Sequence, residues 1–528
     1  MGRYSERGTP AASAGSVPCK ILAALALAAV LAWLLWKLHL VCAMPGIEAR
    51  ELANVTAIRQ LRDDSFNTLA AYPQNIYLYG ALQAWLLSWL PGWNDVLLNR
   101  LFSLACMLGS AIPLLAAAKR MNSLAGGCTR PGAWVLPLGC YLLPFLIEIP
   151  FSLGTPNYLG LLLANSVLWI SLCSFRGKDV LAGLLLVGCF LTKQYFLLAA
   201  LYVVLYNLLL CNSLRKAALH TAVTGAVALG GCALCFVSDQ VFYSFVHHIV
   251  DANCAKKRAL QKFCAYSLYV LPMVLPAVGV GAKLLLRHRR GFAGRFLASL
   301  RENMRSRVYL CVLANVGLTA LVLVKVGGHS GALGQLYFTQ LLTPPLLLLC
   351  FLLQQRGEPA VRGGATSLLL LAGVAWYAAG ALREERAAMQ TQPQALAVYA
   401  ADIQRGSTVR GSCMTAFYDA AHGLAITENG QQQYMDTVWQ EGKGVEWAHE
   451  RLKPYLQKNK AAREELLEGL RAGRWQVVYT DGCTYMPDDA RKELKARYAA
   501  TASLPFDFPG FKTELVRWER LGPQGDKS

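Results

Sequence analysis

Residues 45–80 read PGIEARELANVTAIRQLRDDSFNTLAAYPQNIYLYG and directly follow a hydrophobic run. The stretch holds four acids and three arginines, whereas the 382 residues before Arg383 contain twelve carboxylates in all. Charge is costly in a lipid-embedded chain, so such a concentration needs a reason. Leu52, Val55, Ile58 and Leu61 recur every three residues, which predicts an amphipathic helix over Glu48–Leu61. A second apolar helix is expected over Ile76–Leu90. It is rich in interfacial aromatics (Tyr77, Tyr79, Trp85, Trp89) and closed by Pro91-Gly92. Two such helices would lie along a bilayer surface and form a shelf over it.

The surrounding chain sets this stretch in context. With 528 residues, 55% hydrophobic content and mean hydropathy +0.34, the composition is that of a polytopic helical membrane protein. The net charge of +19 is unevenly placed. From Arg383 onward 20 basic residues balance 20 acidic ones, and the preceding part carries 31 against 12. A nucleic-acid binder would concentrate its basic residues in a soluble domain, so that class is excluded. Apolar runs near 21–40, 95–118, 132–149, 156–173, 179–192, 194–210, 219–237, 266–286, 308–326, 335–354 and 364–381 predict about eleven spans. The fifth is short and must lean on its neighbours. Every second loop is basic, which by the positive-inside rule puts the N-terminus in the cytoplasm. The 45–94 loop and the tail from 383 then lie outside. The first run ends in Trp36-Lys37 without a small-residue cleavage site and is expected to stay as an anchor.

The expected domains are a transmembrane unit, 1–382, and an extracytoplasmic α/β domain, 383–528. In the latter a helical connector (Arg383–Thr408) leads to strands at Thr408–Met414 and Gln476–Thr480. Helices are expected at Glu446–Gln457, Ala461–Ala472 and Asp488–Tyr498. No internal repeat, P-loop or GxGxxG occurs. Cys413 and Cys483 are the tail's two cysteines and form either one structural disulfide or two free thiols, with Cys254 and Cys264 a weaker pair. No CxxC zinc arrangement is present, and His247-His248 point about 100° apart on a helix, so no cofactor is assigned and a divalent metal is only the less favoured alternative.

Four segments resemble the GT-C membrane glycosyltransferases, in particular the group of protein O-mannosyltransferases and the lipid A aminoarabinose transferase (glycosyltransferase families 39 and 83). Glu48-Ala49-Arg50-Glu51-Leu52-Ala53 stands where that family opens its first juxtamembrane helix with an acid, usually Asp. Tyr72–Gly80 resembles the Pro/Tyr-rich opening of the second. Asn99-Arg100-Leu101-Phe102-Ser103, leading to Lys119-Arg120, resembles an R-L-x-S span, and Leu191-Thr192-Lys193 an L-x-K turn between short helices. The Gly327–Phe338 loop and the α/β tail fit the same plan. Asn157 stands where relatives often carry Asp.

The resemblance implies transfer of a sugar from a polyprenyl-phosphate donor, with inversion, to an extracytoplasmic lipid, glycan or protein acceptor among membrane lipids. Such chemistry needs a base for the acceptor proton and cations for the leaving phosphate. Glu48 is the candidate base, with Glu51 on the same helix face in reserve; a helix N-terminal acid serving the macrodipole is the plain alternative. Asp63 and Asp64 read as a solvated turn. Donor-phosphate contacts are expected among Arg50, Arg59, Lys193, Lys256, Lys257, Arg258, His329 and Tyr337. Lys193 leads because a lone cation in an apolar hairpin is costly, though a snorkelling lysine would look alike. Tyr77, Tyr79, Gln335 and Glu148 are expected to line the substrate site; the alternative is interface anchoring for the two tyrosines and a solvated helix end for Glu148. Short loops and the overall pattern point to a bacterial inner membrane. A transporter or flippase for a lipid-linked sugar is the alternative, and a receptor or scaffold using the tail is a third class.

Overall fold

The computed structural model describes residues 17–47, 49–63, 77–90, 92–127, 135–238, 241–242, 303–326, 332–355, 364–424, 449–482, 486–509 and 512–522. The apolar runs fold as helices. They are α1 (Val17–Ala43), α4 (Asp95–Gly109) with α5 (Ala111–Leu124), α6 (Val135–Ser152), α7 (Asn157–Ser171), α8 (Lys178–Thr192) and α9 (Ala200–Leu210). Then come α10 (Leu214–Cys235), α11 (Met304–Val326), α12 (Ala332–Gln355) and the first half of α13 (Gly364–Gln404). By length and composition four described helices can cross a membrane: Lys20–Ala43, Asp95–Leu124, Leu214–Cys235 and Met304–Val322. The expected span at 266–286 lies outside the described residues.

The run expected as one span at 95–118 breaks at Ser110. Pro113 has no N–H, and its ring would collide with the carbonyl one turn earlier, so the helix restarts at Ala111. The break is held by a polar contact deep in the bundle. Ser110 Oγ meets the Tyr141 hydroxyl at 2.8 Å, and Asn165 Nδ2 donates to Ser110 O at 2.9 Å.

The two short helices of the opening segment form where periodicity placed them, α2 at Ala49–Asp63 and α3 at Tyr77–Trp89. Leu52, Val55, Ile58 and Leu61 are all buried. Glu51 in the first turn and Arg62 in the last complement the helix dipole. On α3, Tyr79, Gln83, Ala84 and Leu87 face inward, while Trp85 and Trp89 stay exposed.

The tail is tied to the helical bundle by α13, a helix of 41 residues that runs unbroken past position 382. Its far half packs with α14 (Ala416–Ala421) and a four-stranded sheet: β1 (Val409–Arg410), β2 (Val477–Asp481), β3 (Tyr498–Pro505) and β4 (Glu514–Arg520). The strand order is β1-β2-β4-β3, parallel between β1 and β2 and antiparallel elsewhere. The sequence predicted two strands, and β3 and β4 were not among them. The alanine-rich β3 (YAATASLP) has weak strand propensity and is held by pairing with β4 (ELVRWER), which also pairs with β2. The two helices expected between 446 and 472 are one, α15 (His449–Ala472), and α16 spans Asp488–Arg497. One apolar cluster joins Leu52 and Val55 of α2, Val96 of α4 and Leu396 and Tyr399 of α13 to Phe417, Val477 and Phe506 of the tail. The tail therefore packs directly on the helix that opens the charged segment.

Two tail carboxylates sit in opposite environments. Burial alone would raise the Asp402 carboxyl, but hydrogen bonds from Arg517 (2.6 and 2.9 Å) and Tyr479 (2.6 Å) outweigh it and hold it below its usual range. Asp419 accepts from the Tyr399 hydroxyl at 3.0 and 3.1 Å, and burial pushes its carboxyl up to about 6 against the opposing hydrogen bond and the charges of Arg59 and His422. Folding therefore favours the protonated acid. This contribution is full below the ordinary value of 3.8 and is lost as pH rises through about 6. Asp419→Asn keeps the tyrosine contact without the charge. It is expected to stabilise the full-length protein near pH 7.5 by on the order of 3 kcal/mol, read as a higher thermal midpoint, and to flatten its pH dependence between about 4 and 6. A variant that tracks wild type through that window would contradict this assignment.

Candidate functional site

Where α1 ends, the chain turns through Met44, Pro45, Gly46 and Ile47 before α2 begins. Arg100, one turn into α4 and 2% exposed, reaches this turn with its whole guanidinium. Nη1 donates to the carbonyls of Val41 (2.8 Å) and Met44 (2.6 Å), and Nη2 to that of Pro45 (2.9 Å). Nε and Nη2 grip the two oxygens of Glu51 at 2.5 and 2.8 Å. Glu51 is fully buried, and its Oε2 also accepts from the Ile47 amide at 3.3 Å. The planar fork of arginine suits this bidentate grip. From the opposite side Gln392 of α13 accepts from Gly46 N (2.9 Å) and donates to Gly46 O and Asp507 O (both 2.8 Å). The Phe417 ring lies so close that a Cβ on Gly46 would come within 2.6 Å of it.

Beneath this turn is a second layer. Gly154, between α6 and α7, presents its carbonyl to Asn54 Nδ2 (2.8 Å) and Asn99 Nδ2 (3.0 Å). Asn99 Oδ1 in turn accepts from the Tyr79 hydroxyl (2.6 Å) and Gln83 Nε2 (2.7 Å). Three residues on, Asn157 Oδ1 accepts from Lys193 Nζ at 3.0 Å and the Tyr195 hydroxyl at 2.7 Å. Lys193 is half-buried, in extended backbone where α8 ends. The single α6–α7 turn thus touches α2, α4 and the Lys193 hairpin together.

Gly154 is required there. Its φ is +74°, and an added Cβ would lie 2.8 Å from Asn99 Nδ2 and 2.9 Å from Glu51 Cγ. Gly154→Ala combines left-handed backbone strain with overpacking. We expect it to cost about 2–4 kcal/mol of stability by denaturant titration. A loss under about 1 kcal/mol would mean the turn relaxes freely.

A cavity of about 360 Å³ opens beside the Met44–Pro45 turn. Val41, Val96, Leu396 and Phe417 make its walls apolar, Arg100 reaches it, and Tyr418 and His422, stacked at 3.9 Å, also line it. Next to it Arg59 forms an ion pair with Asp95 and donates to Leu424 O (3.1 Å) and Ala420 O (2.8 Å), which holds α14 on α2 and α4.

Of the site candidates named from sequence, Glu51 lies at this turn in the grip of Arg100, Tyr79 lies in the layer below, and Lys193 is joined to it through Asn157. Arg59 is engaged with Asp95 and α14. Glu48, Lys256, Lys257, Arg258, His329 and Cys483 lie outside the described residues, as do Asp64 and the His247-His248 pair. Arg50 is on α2, Tyr77 opens α3, Glu148 is on α6, and Gln335 and Tyr337 are on α12; their side chains lie outside what is described. Cys413 is half-buried in the tail. Arg100, Asn54, Asn99, Gln83, Gly154 and Gln392 carried no site assignment from sequence. Arg100 had a legible signal, a lone cation opening an apolar span. The neutral residues had none.

Among solved structures, the chain is similar to the crystal structure of ArnT from Cupriavidus metallidurans in the apo state. The identity is 15%, over 94% of this chain and 97% of that chain, with a TM-score of 0.47. An overlap this loose establishes no activity. No family model and no curated protein matches the chain.

Proposed function

We propose that this protein is a membrane glycosyltransferase of the GT-C type. It moves a sugar from a polyprenyl-phosphate donor to an extracytoplasmic acceptor, with Glu48 as general base. The observation that carries the reading is the turn before α2. Two buried polar side chains from different helices hold its backbone beside a cavity, immediately before Glu48 in the chain. In the proposed reaction the acceptor hydroxyl attacks the anomeric carbon and Glu48 takes its proton. The bond from that carbon to the phosphate oxygen breaks, and the leaving phosphate keeps the electron pair. Lys193 meets the charge that develops there. Support for Lys193 is its attachment, through Asn157, to the turn that also carries Gly154.

The test uses full-length protein in liposomes with an undecaprenyl-phosphate-linked, radiolabelled pentose as donor probe and a bacterial envelope lipid extract as acceptor. Release of undecaprenyl phosphate in step with label transfer is the expected result. Label that crosses the bilayer still joined to its carrier would replace this reading with that of a flippase.

A further inference from the structure

The geometry points to Arg100 and Gln392 as positioning residues that set the Met44–Ile47 turn from opposite sides, with the C-terminal domain serving as part of the site. This inference rests on the reading of Glu48 as the base. Each residue touches main-chain atoms at positions that no side-chain substitution within the segment would remove. Arg100 spends its donors on the carbonyls of Val41, Met44 and Pro45 and on both oxygens of Glu51. Gln392 pairs with both the N–H and the carbonyl of Gly46. The backbone just before residue 48 is therefore held by α4 on one side and α13 on the other, with Glu51 as the anchor after it.

Gln392 does more than grip the turn. Its Nε2 also donates to Asp507 O in the tail, while Thr391 Oγ1 of the same helix accepts from the Asp507 amide at 3.1 Å. Phe417, on α14 of the tail, closes over Gly46. The tail is thus fastened to the same Gln392 Nε2 that holds the Gly46 carbonyl. Loosening it would release the segment without touching any group that meets substrate. In catalysis, displacement of a reacting group by about 1 Å costs on the order of a hundredfold in rate, so a clamp of this kind sets turnover more than binding.

The test compares wild type with Arg100→Lys, which keeps the charge and loses the fork, and with Gln392→Leu, which keeps the volume and loses the pairing. Two readouts are needed on the full chain. The first is amide exchange in peptides covering residues 43–52. Both variants should exchange there about tenfold faster or more, with α7 and α8 unchanged. The second is release of undecaprenyl phosphate from the pentose-linked probe. There kcat should fall by about tenfold or more while KM stays within about threefold. Wild-type exchange in both variants would overturn the clamp. Faster exchange with unaltered kcat would overturn its role in the reaction. If Arg100→Lys fails to fold, Gln392→Leu decides alone. Full turnover by Glu48→Gln removes the base reading whatever the exchange shows. An inactive Glu48→Gln beside positioning variants of wild-type exchange and rate removes the positioning inference alone.

Discussion

Glu48→Gln is expected to lower kcat for sugar transfer by about 10²–10⁴-fold with little change in KM. That is the range a positioned general base contributes, and it corresponds to roughly 3–5 kcal/mol of barrier. Glutamine preserves size and hydrogen bonding but cannot accept the proton, so substrate binding should survive while chemistry does not. Glu48→Asp should keep part of the rate, since the base remains but sits about one methylene further away. The neighbouring acid should behave differently. Glu51→Gln leaves Arg100 buried at 2% exposure with its ionic partner gone, so its main effect is expected on the thermal midpoint. Turnover of Glu48→Gln within about threefold of wild type would take Glu48 out of the mechanism.

The second large effect concerns stability. Lys37 near the end of α1 and Glu385 on α13 form an ion pair in which both side chains are 0% exposed. Glu385 also accepts from Trp36 Nε1 at 2.6 Å, and the Lys37 ammonium lies 4.8 Å from the centre of the Trp33 ring. Removing one partner strands a buried charge. Lys37→Ala and Glu385→Ala are each therefore expected to cost about 3–5 kcal/mol in denaturant unfolding of the detergent-solubilised protein. The double replacement Lys37→Met with Glu385→Leu strands no charge, leaves only the Trp36 N–H without its acceptor, and should recover most of the loss, since apolar pairs of similar volume are often neutral or better there. Single variants that lose less than about 1 kcal/mol would show that water reaches the pair.

Much of the helical plan was legible because it rests on local periodicity. Leu52, Val55, Ile58 and Leu61 predicted the buried face of α2, and the apolar runs predicted the long helices. Local signals failed where pairing decides structure. Ala499 and Ala500 carry little strand propensity, yet they lie in β3, opposite Glu519 and Trp518 of β4, with an irregularity between Ala500 and Ala502. Pro113 was visible from the start, but that the helix would break at Ser110 and be held by Tyr141 and Asn165 depended on two other helices.

The same division runs through the candidate site. The sequence by itself determined that residues 45–80 concentrate charge, that α2 has one apolar face and that Lys193 sits alone between two apolar helices. These properties follow from composition and spacing along a few turns. Which charges and amides meet was decided by the tertiary structure alone. Lys37 finds Glu385 348 residues away, Gln392 finds Gly46 346 away, and Arg100 finds Glu51 49 away. The physical reason is that a buried polar group must be satisfied by whatever packing brings within about 3 Å of it. No local pattern encodes that neighbour.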